Sequence, residues 1–475
     1  MAPSAMSLGT DCIRSLSDAQ PVPYWLDDPG KPRPEPALTG AETCDLLVVG
    51  GGYSGLWTAL LAKERDPGRD VVLLEGHEVG WAASGRNGGF CAASLTHGLP
   101  NGLARWPEEI HRLEELGARN LDGIEQAVAR YSLDCDFERT GEIDVATEPY
   151  QAEELHDWHR EMKDRGLAGD VEFLDADAVR AQVNSPTFEA GLWDRRGVAM
   201  LHPAKLAWGL KRACRELGVR LYEHTPALAL KRFGAGMAVR TPYGSVRARQ
   251  VALGTNIFPN LVKRVRSYTV PVYDYALMTE PLTAEQLASI GWSGRQGLGD
   301  SANQFHYFRL SADNRILWGG YDAVYPYGGR VRREYDDRPE TYAKLAAHFF
   351  TCFPQLAGVR FTHAWGGAID TCSRFSAFFG TAHQGKVAYA AGFTGLGVGA
   401  TRFGADVMLD LLSGERTERT ELAMVRTKPL PFPPEPFAWT GIALTKWSLA
   451  RADAHGGQRN LWLRTMDKLG LGFDS

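Results

Sequence analysis

No stretch of this 475-residue chain is long and apolar enough to cross a bilayer, and the run Leu46–Ala62 is broken by glycines. No basic region followed by an apolar core opens the chain, so no secretory leader is expected. The 7 cysteines (Cys12, Cys44, Cys91, Cys135, Cys214, Cys352 and Cys372) are odd in number, and none pair as CxxC. That pattern predicts free thiols in a reducing cytoplasm, not a disulfide framework. The 12 histidines are scattered without zinc-type spacing, and no metal site is expected. A net charge of -5 leaves no electrostatic case for nucleic acid. What remains, 44% hydrophobic and 23% charged, is the composition of a soluble globular protein too long for one small core. No internal repeat is present, so two or three domains, or two interleaved ones, are expected.

The most informative stretch runs from Cys44 to Gly89. An apolar run, Leu46–Val49, feeds a glycine turn with Gly50, Gly52 and Gly55. A helical segment follows, then a second apolar run, Val71–Leu74, ending in Glu75. This is a dinucleotide-binding βαβ unit. Gly50 permits the tight turn, Gly52 lets the backbone approach a pyrophosphate, and Gly55 lets helix and strand pack closely. Phosphates favour the helix N-terminus, where free N–H groups and the helix dipole attract anions. Glu75 is placed to accept hydrogen bonds from ribose hydroxyls.

Elsewhere the pattern is coarser. Residues 1–40 read as a proline-rich arm with an aromatic anchor at Tyr24 and Trp25. Helical periodicity is seen over 104–131, 151–166 and 338–353, and Glu142–Thr147 reads as a strand. Pro203 and Gly218 bracket another predicted helix. A third glycine-rich block spans Val387–Gly414, with a helix expected from Ala400. The tail is punctuated by prolines and carries a helix-like stretch near Trp439–Ala450.

In combination, the first unit, the block GWAASGRNGG (Gly80–Gly89) and the block AAGFTGLGVG (Ala390–Gly399) resemble the glycine/D-amino-acid oxidase (DAO) family of flavoproteins. With RLSADNRILWGG (Arg309–Gly320), the chain looks most like the gamma-glutamylputrescine oxidoreductase branch. The resemblance implies FAD, held non-covalently. It implies a combined α/β and α+β fold: a Rossmann-like FAD-binding domain interleaved with a mixed β-sheet substrate domain. The FAD-binding pieces are expected at 41–100, 190–262 and 360–415. The substrate domain is expected at 101–189 and 263–359, and 416–475 forms a C-terminal extension without an assigned role.

The resemblance carries over residue by residue. Gly50, Gly52, Tyr53, Ser54 and Gly55 match the pyrophosphate loop, and Glu75 and Gly76 the adenosine-ribose site. Ala83, Ser84, Arg86, Asn87, Gly88, Gly89 and Phe90 match the segment leading to the isoalloxazine. Ala227 and Leu228 match a strand that meets the adenine through its backbone, and Gly254 and Thr255 the turn that closes that site. Gly392, Thr394, Gly395, Leu396 and Gly397 match the loop facing the pyrimidine edge of the flavin. Donors and a positive helix end there stabilise charge on reduced flavin.

The implied chemistry is oxidation of a C–N bond in an amine or amino acid. Hydride passes to flavin N5, and the imine hydrolyses to aldehyde or oxo acid plus amine or ammonia. The electrons then go to O2 or another acceptor. Tyr273 and Tyr275 share one strand face and are candidates for the pocket. His97, His306 and Trp365 are further candidates, and Arg309 can hold a carboxylate bidentately. Each of these also fits an ordinary core or salt-bridge role. Sarcosine-type oxidases carry a lysine close to the flavin; the matching residue here is Trp318, which leaves a dehydrogenase open. Cys372 does not match the position through which some relatives link FAD. An N-methyl-amine demethylating enzyme, a D-amino-acid dehydrogenase, an NAD-linked enzyme and a flavin-bound non-catalytic subunit remain alternatives. A flavin monooxygenase is disfavoured, since no second glycine motif for NAD(P)H is found. A cytoplasmic monomer or homodimer acting on a small molecule is expected.

Overall fold

The computed structural model describes residues 10–258, 261–468 and 470. Parts of the expected arm (1–9), of the 190–262 piece (259 and 260) and of the extension (469 and 471–475) lie outside the described residues.

Two eight-stranded sheets dominate. In the first, Val387–Ala391, Gly244–Leu253, Gly40–Val49, Val71–Leu74 and Arg220–Tyr222 run parallel in that order. Their runs of buried Val, Leu and Ala suit a sheet covered on both faces. Tyr53–Arg65, Ile110–Arg130, Pro203–Glu216 and Gly397–Ser413 are helices that share one core with this sheet. The last begins at Gly397, one turn before the expected Ala400, because Leu396 already serves as its N-cap. Pro203 opens its helix and Gly218 follows its end, as the sequence predicts.

The second sheet has the order Phe361–Thr371, Val270–Thr279, Ile316–Gly320, His306–Leu310, Gly297–Asp300, Glu142–Ala146, Ala190–Asp194, Val171–Asp175. Only Gly297–Asp300 and Glu142–Ala146 pair in parallel; the other neighbours are antiparallel. Ala190–Asp194 and Phe361–Thr371 therefore belong to this sheet, although they fall within the pieces expected to bind FAD. Glycine spacing marks nucleotide turns but says nothing of a strand's partners, which is why the sheet of these two strands was not legible from it.

Strand alternation divides the second sheet into two faces. Tyr273, Tyr275, Leu277, Phe308 and Trp318 share an apolar core with Leu345 and Phe349 of the helix Pro339–Cys352. The opposite face carries Glu142, Asp144, Asp274, Ala276, Gly299 and Tyr307, and it lines a cavity shared with the first sheet. The arm supplies Trp25, which is buried, and its Gln20 exchanges backbone hydrogen bonds with Thr362 and Ala364. Among the described residues no helix is long and apolar enough to cross a membrane.

Candidate active site

The carboxyl ends of the parallel strands converge on one cavity of about 2430 Å³. Open α/β sheets bind ligands at such ends. Small-molecule pockets are typically about 300–1,000 Å³, so this one has room for a dinucleotide and a substrate. Of the residues expected to hold the cofactor, all but Gly55, Gly89 and Gly392 line it. Those three are spacers. A side chain on Gly55 would run into the Gly50 carbonyl, and one on Gly89 into the Leu201 carbonyl. A Cβ on Gly392 would stand 2.9 Å from Cys372 Cβ and from the Phe378 ring.

The first turn is tight because Gly50, at φ +111°, packs against the Gly254 carbonyl. Gly254 in turn donates its N–H to Val49 O at 2.9 Å. A Cβ at Gly52 would stand 2.9 Å from Ser84 Oγ. That hydroxyl accepts the Tyr53 N–H at 3.0 Å, capping the helix from a distant segment. Glu75 is buried; its carboxylate accepts N–H groups from Gly51 at 2.6 Å and His77 at 2.8 Å, and the Trp81 indole N–H at 3.1 Å. A carboxylate has about four acceptor positions, so roughly one is left for a ribose hydroxyl. Burial raises the Glu75 pKa, and the three donors oppose the rise.

The residues fit the group that the fold implies. Ser54 Oγ and Thr255 Oγ1 are buried on the cavity wall without a hydrogen-bond partner among the described residues. Buried polar groups are normally satisfied, so these two mark where a polar ligand belongs. Gly76 lines the cavity beside Pro226. Ala227 and Leu228 line it too, from a loop before the strand Ala229–Phe233 and not from a strand; the Leu228 N–H is already donated to Arg240 O at 2.8 Å.

Across the cavity, the Asn87 amide bridges Ala83 O at 2.8 Å and the Gly89 N–H at 2.9 Å, fixing the segment through Gly88 to Phe90. Arg86 pairs with Asp336 at 2.7 Å and donates to Gly366 O at 3.1 Å, while the Trp365 indole donates to Arg86 O at 2.9 Å. These bonds tie the cofactor segment to the second sheet. The Tyr307 ring lies 2.7 Å from where a Gly88 Cβ would be, and its hydroxyl donates to Asp274 at 2.6 Å. Burial raises the Asp274 pKa to about 6, and burial beside that carboxylate drives the Tyr307 phenol well up.

The loop from Gly392 to Gly397 is held by a residue that the sequence reading missed. Asp370 is buried and accepts the Gly392 N–H at 2.6 Å; burial raises its pKa to about 7. A lone acid in the strand Phe361–Thr371 was the available signal. Thr394 donates its hydroxyl to Gly392 O at 3.0 Å, and Gly395 adopts φ +91° with His97 Cε1 4.0 Å from its Cβ position. His97 lines the cavity, and burial lowers its pKa to about 4, so it is neutral at pH 7.

The substrate-side candidates separate. His97 and Trp365 line the cavity; Tyr273, His306 and Arg309 do not. Tyr273 points to the helical side, exchanging hydrogen bonds with the Arg332 backbone. Tyr275 borders the cavity, but its hydroxyl donates to Tyr335 O at 2.9 Å. His306 is held between Asp300 at 2.6 Å and His348 at 2.9 Å. Arg309 is fully buried and donates to Leu201 O at 2.7 Å and Gly89 O at 3.2 Å, so it ties backbone and holds no carboxylate. Trp318 also faces the helical core, and the residues beside it on the cavity side are Leu317 and Gly319. The Cys372 thiol is buried and donates to Ser376 O at 3.1 Å.

Instead, the sheet face over the cavity is acidic. Glu142 Oε1 and Asp144 Oδ1 both lie 3.5 Å from a Cβ position on Gly299, and Asp194 sits opposite Glu142 in the strand register. Asp144 is exposed on the cavity wall, with protein packed closely around that wall. Burial, reinforced by neighbouring carboxylates, raises Asp144 to about 7 and Glu142 well above its usual range. Glu114 rises to about 7 for the same reasons. Among the described residues no cluster is suited to a metal ion.

Comparison with known proteins agrees with this geometry. Gamma-glutamylputrescine oxidoreductase of Escherichia coli is 32% identical over 420 residues, covering 86% of this chain and 92% of that protein. A probable oxidoreductase, OrdL, of Haemophilus influenzae is 26% identical over 398 residues, covering 82% of this chain and 88% of that protein. The crystal structure of glycine oxidase from Geobacillus kaustophilus superposes with a TM-score of 0.64 at 18% identity, covering 79% of this chain and 96% of that one. The family model for DAO, described as FAD dependent oxidoreductase, matches residues 45–411. With the cradle and the family model in agreement, the chain belongs to the DAO family of FAD-dependent oxidoreductases that act on amines and amino acids.

Proposed function

We propose that this enzyme oxidises a C–N bond of a cationic amine, with an ω-amine or diamine preferred over a free α-amino acid. The observation that carries this reading is the acidic cavity face of Glu142, Asp144 and Asp274, with Arg309 committed to backbone carbonyls. A bound ammonium group favours ionisation of these raised carboxyls and is then attracted to them, whereas a bound carboxylate keeps them protonated and gains no such attraction. The relative named for gamma-glutamylputrescine supports an amine substrate.

FAD, when bound, supplies the hydride acceptor for the carbon next to the amine nitrogen. The remaining work falls to the chain. Amine nitrogen must be neutral as hydride leaves, and the Asp144 carboxylate, titrating at about 7, accepts the ammonium proton. Tyr307, fixed by Asp274 over Gly88, and Trp365 border the reacting end and exclude water. The substrate imine then takes up water and splits to an aldehyde and ammonia or an amine. O2 or another acceptor removes the two electrons. Non-covalent FAD and a cytoplasmic location complete the reading, with the first sheet as FAD-binding domain and the second as substrate domain.

The test is anaerobic bleaching of the bound flavin by a panel of amines. Diamines and their monoacyl conjugates should bleach it. Bleaching by D- or L-amino acids, with diamines inert, contradicts the proposed class. No bleaching by any amine favours a non-catalytic flavin-binding subunit.

A further inference from the structure

The C-terminal segment lies beyond residue 411, where the family match ends. Its ties to the body follow chain order. Thr427 O accepts from Arg374 Nη1 at 3.1 Å, and Leu430 O accepts from Ser373 Oγ at 2.7 Å. Phe432 N–H donates to Ser267 O at 2.8 Å. Glu435 accepts the Tyr325 hydroxyl at 2.7 Å and the Gly328 N–H at 3.0 Å. Lys446 pairs with buried Asp322, and Asp453 accepts the Asn303 N–H at 2.9 Å and the Gln304 N–H at 3.1 Å. Beyond it, a Cβ on Gly457 would stand 2.9 Å from the Tyr150 ring. The segment thus crosses from the flavin-loop side of the molecule to the far edge of the second sheet.

Its inner surface faces the same cavity as the cofactor residues. In the helix Phe437–Asp453, Phe437, Gly441, Thr445 and Leu449 recur every fourth residue and line the cavity, with Ile442 and Lys446 beside them. That spacing is one face of a helix. The other face shows Trp439 and Trp447 to solvent, and Phe437 at the start of the helix is exposed as well. The loops that anchor the helix are cavity walls in their own right, through Asn303, Gln304 and Tyr325.

We propose that this segment is a wall of the substrate-binding space, and that Ile442 with Gly441 and Thr445 sets the width of the amine admitted. The matched family core, residues 45–411, ends before this helix, so the wall is added to that core. Asp322 holds it: burial pushes that carboxyl up, but hydrogen bonds from Lys446 and Thr341 outweigh burial and keep it at about 2. Asp322 is therefore ionised at neutral pH.

Two holoenzyme variants test this. Ile442→Trp adds bulk to the wall. Lys446→Ala combined with Asp453→Ala loosens it. The first readout is acrylamide quenching of bound-flavin fluorescence, which does not depend on the amine reading. The second is anaerobic flavin reduction by a slender and a branched diamine, which rests on that reading. Ile442→Trp should slow the branched amine relative to the slender one by about 10- to 200-fold, the usual range for a misfit in an apolar pocket. The loosened variant should raise quenching several-fold and narrow the difference between the amines. Raised quenching with no amine active keeps the wall and overturns the amine reading. Unchanged quenching in both variants, with unchanged amine selectivity, overturns the wall.

Discussion

The Asp370 carboxylate accepts the Gly392 N–H at 2.6 Å, and the Asp370 carbonyl accepts the Thr394 N–H at 3.3 Å. One residue of the second sheet thereby sets the loop Gly392–Gly397, which lines the cavity through Thr394 to Gly397. Asp370→Ala leaves a buried N–H unsatisfied, at a cost of about 1–3 kcal/mol. If the loop carries that cost, FAD affinity falls about 5- to 150-fold. Asp370→Asn keeps an acceptor and should retain most of the affinity. Flavin absorbance after dialysis, followed by FAD titration of the apoprotein, measures both. Undiminished FAD affinity in Asp370→Ala removes the loop from the cofactor site.

Glu75 already accepts three donors from its own chain, so its replacement acts on the fold as well as on the ribose. Glu75→Ala should lower FAD retention and the Tm of the apoprotein together. Glu75→Gln should spare more of the Tm than of the FAD affinity, because an amide oxygen still accepts while one amide edge now donates. Differential scanning calorimetry beside FAD titration separates the two. Full flavin occupancy in Glu75→Ala rules out the ribose role.

The cofactor side was legible because it is local. A positive φ at Gly50, a close approach at Gly52 and an acid after a strand are demands on particular positions in one βαβ unit. The substrate side was not. Alternation correctly places Tyr273 with Tyr275, and Tyr307 with Arg309, on shared faces. It does not say which face looks into the cavity, since that depends on the helix Pro339–Cys352 packing behind the sheet. The cavity face of Val270–Thr279 therefore turns out to be that of Asp274 and Ala276. Arg309 is on the cavity side of its strand, yet Trp25 of the arm, 5.7 Å away, and the Gly89 and Leu201 carbonyls enclose it. Its neighbours come from three distant parts of the chain, which a strand pattern cannot bring together.

Arg309 supplies a direct discrimination. Arg309→Ala removes donors to Gly89 O and Leu201 O and leaves a cavity in the core. The Tm should fall, with a cost of about 2–5 kcal/mol typical of a large buried truncation. KM for diamines should rise little in the folded fraction. A selective rise in KM for α-amino acids, with Tm unchanged, would restore the carboxylate role.

The acidic face makes cation binding depend on pH. Desolvation, and then Asp194, raise the Asp144 pKa from its usual range to about 7. A bound dication favours the ionised carboxylate, so binding releases protons below that pH, and affinity rises as pH climbs through about 7. Hexamethonium, whose charges are fixed, removes titration of the ligand itself. Calorimetry in buffers of different ionisation enthalpy should show proton release at pH 6 that shrinks as Asp144 ionises, with any release from the more strongly raised Glu142 persisting to higher pH. Asp144→Asn should weaken binding roughly tenfold, between the limits of about 1 and 4 kcal/mol for a charge contact in water and near a protein surface. Its residual pH dependence should be smaller. Affinity that falls with rising pH would place the dication elsewhere.

The central claim is that this cavity presents an amine, and not an α-amino acid, to FAD. It is tested most directly by anaerobic stopped-flow reduction of the bound flavin, comparing a linear diamine with an α-amino acid of similar length in the wild type and Asp144→Asn. The predicted result is faster reduction by the diamine, with the advantage diminished in Asp144→Asn. Faster reduction by the α-amino acid, unchanged by Asp144→Asn, would contradict it.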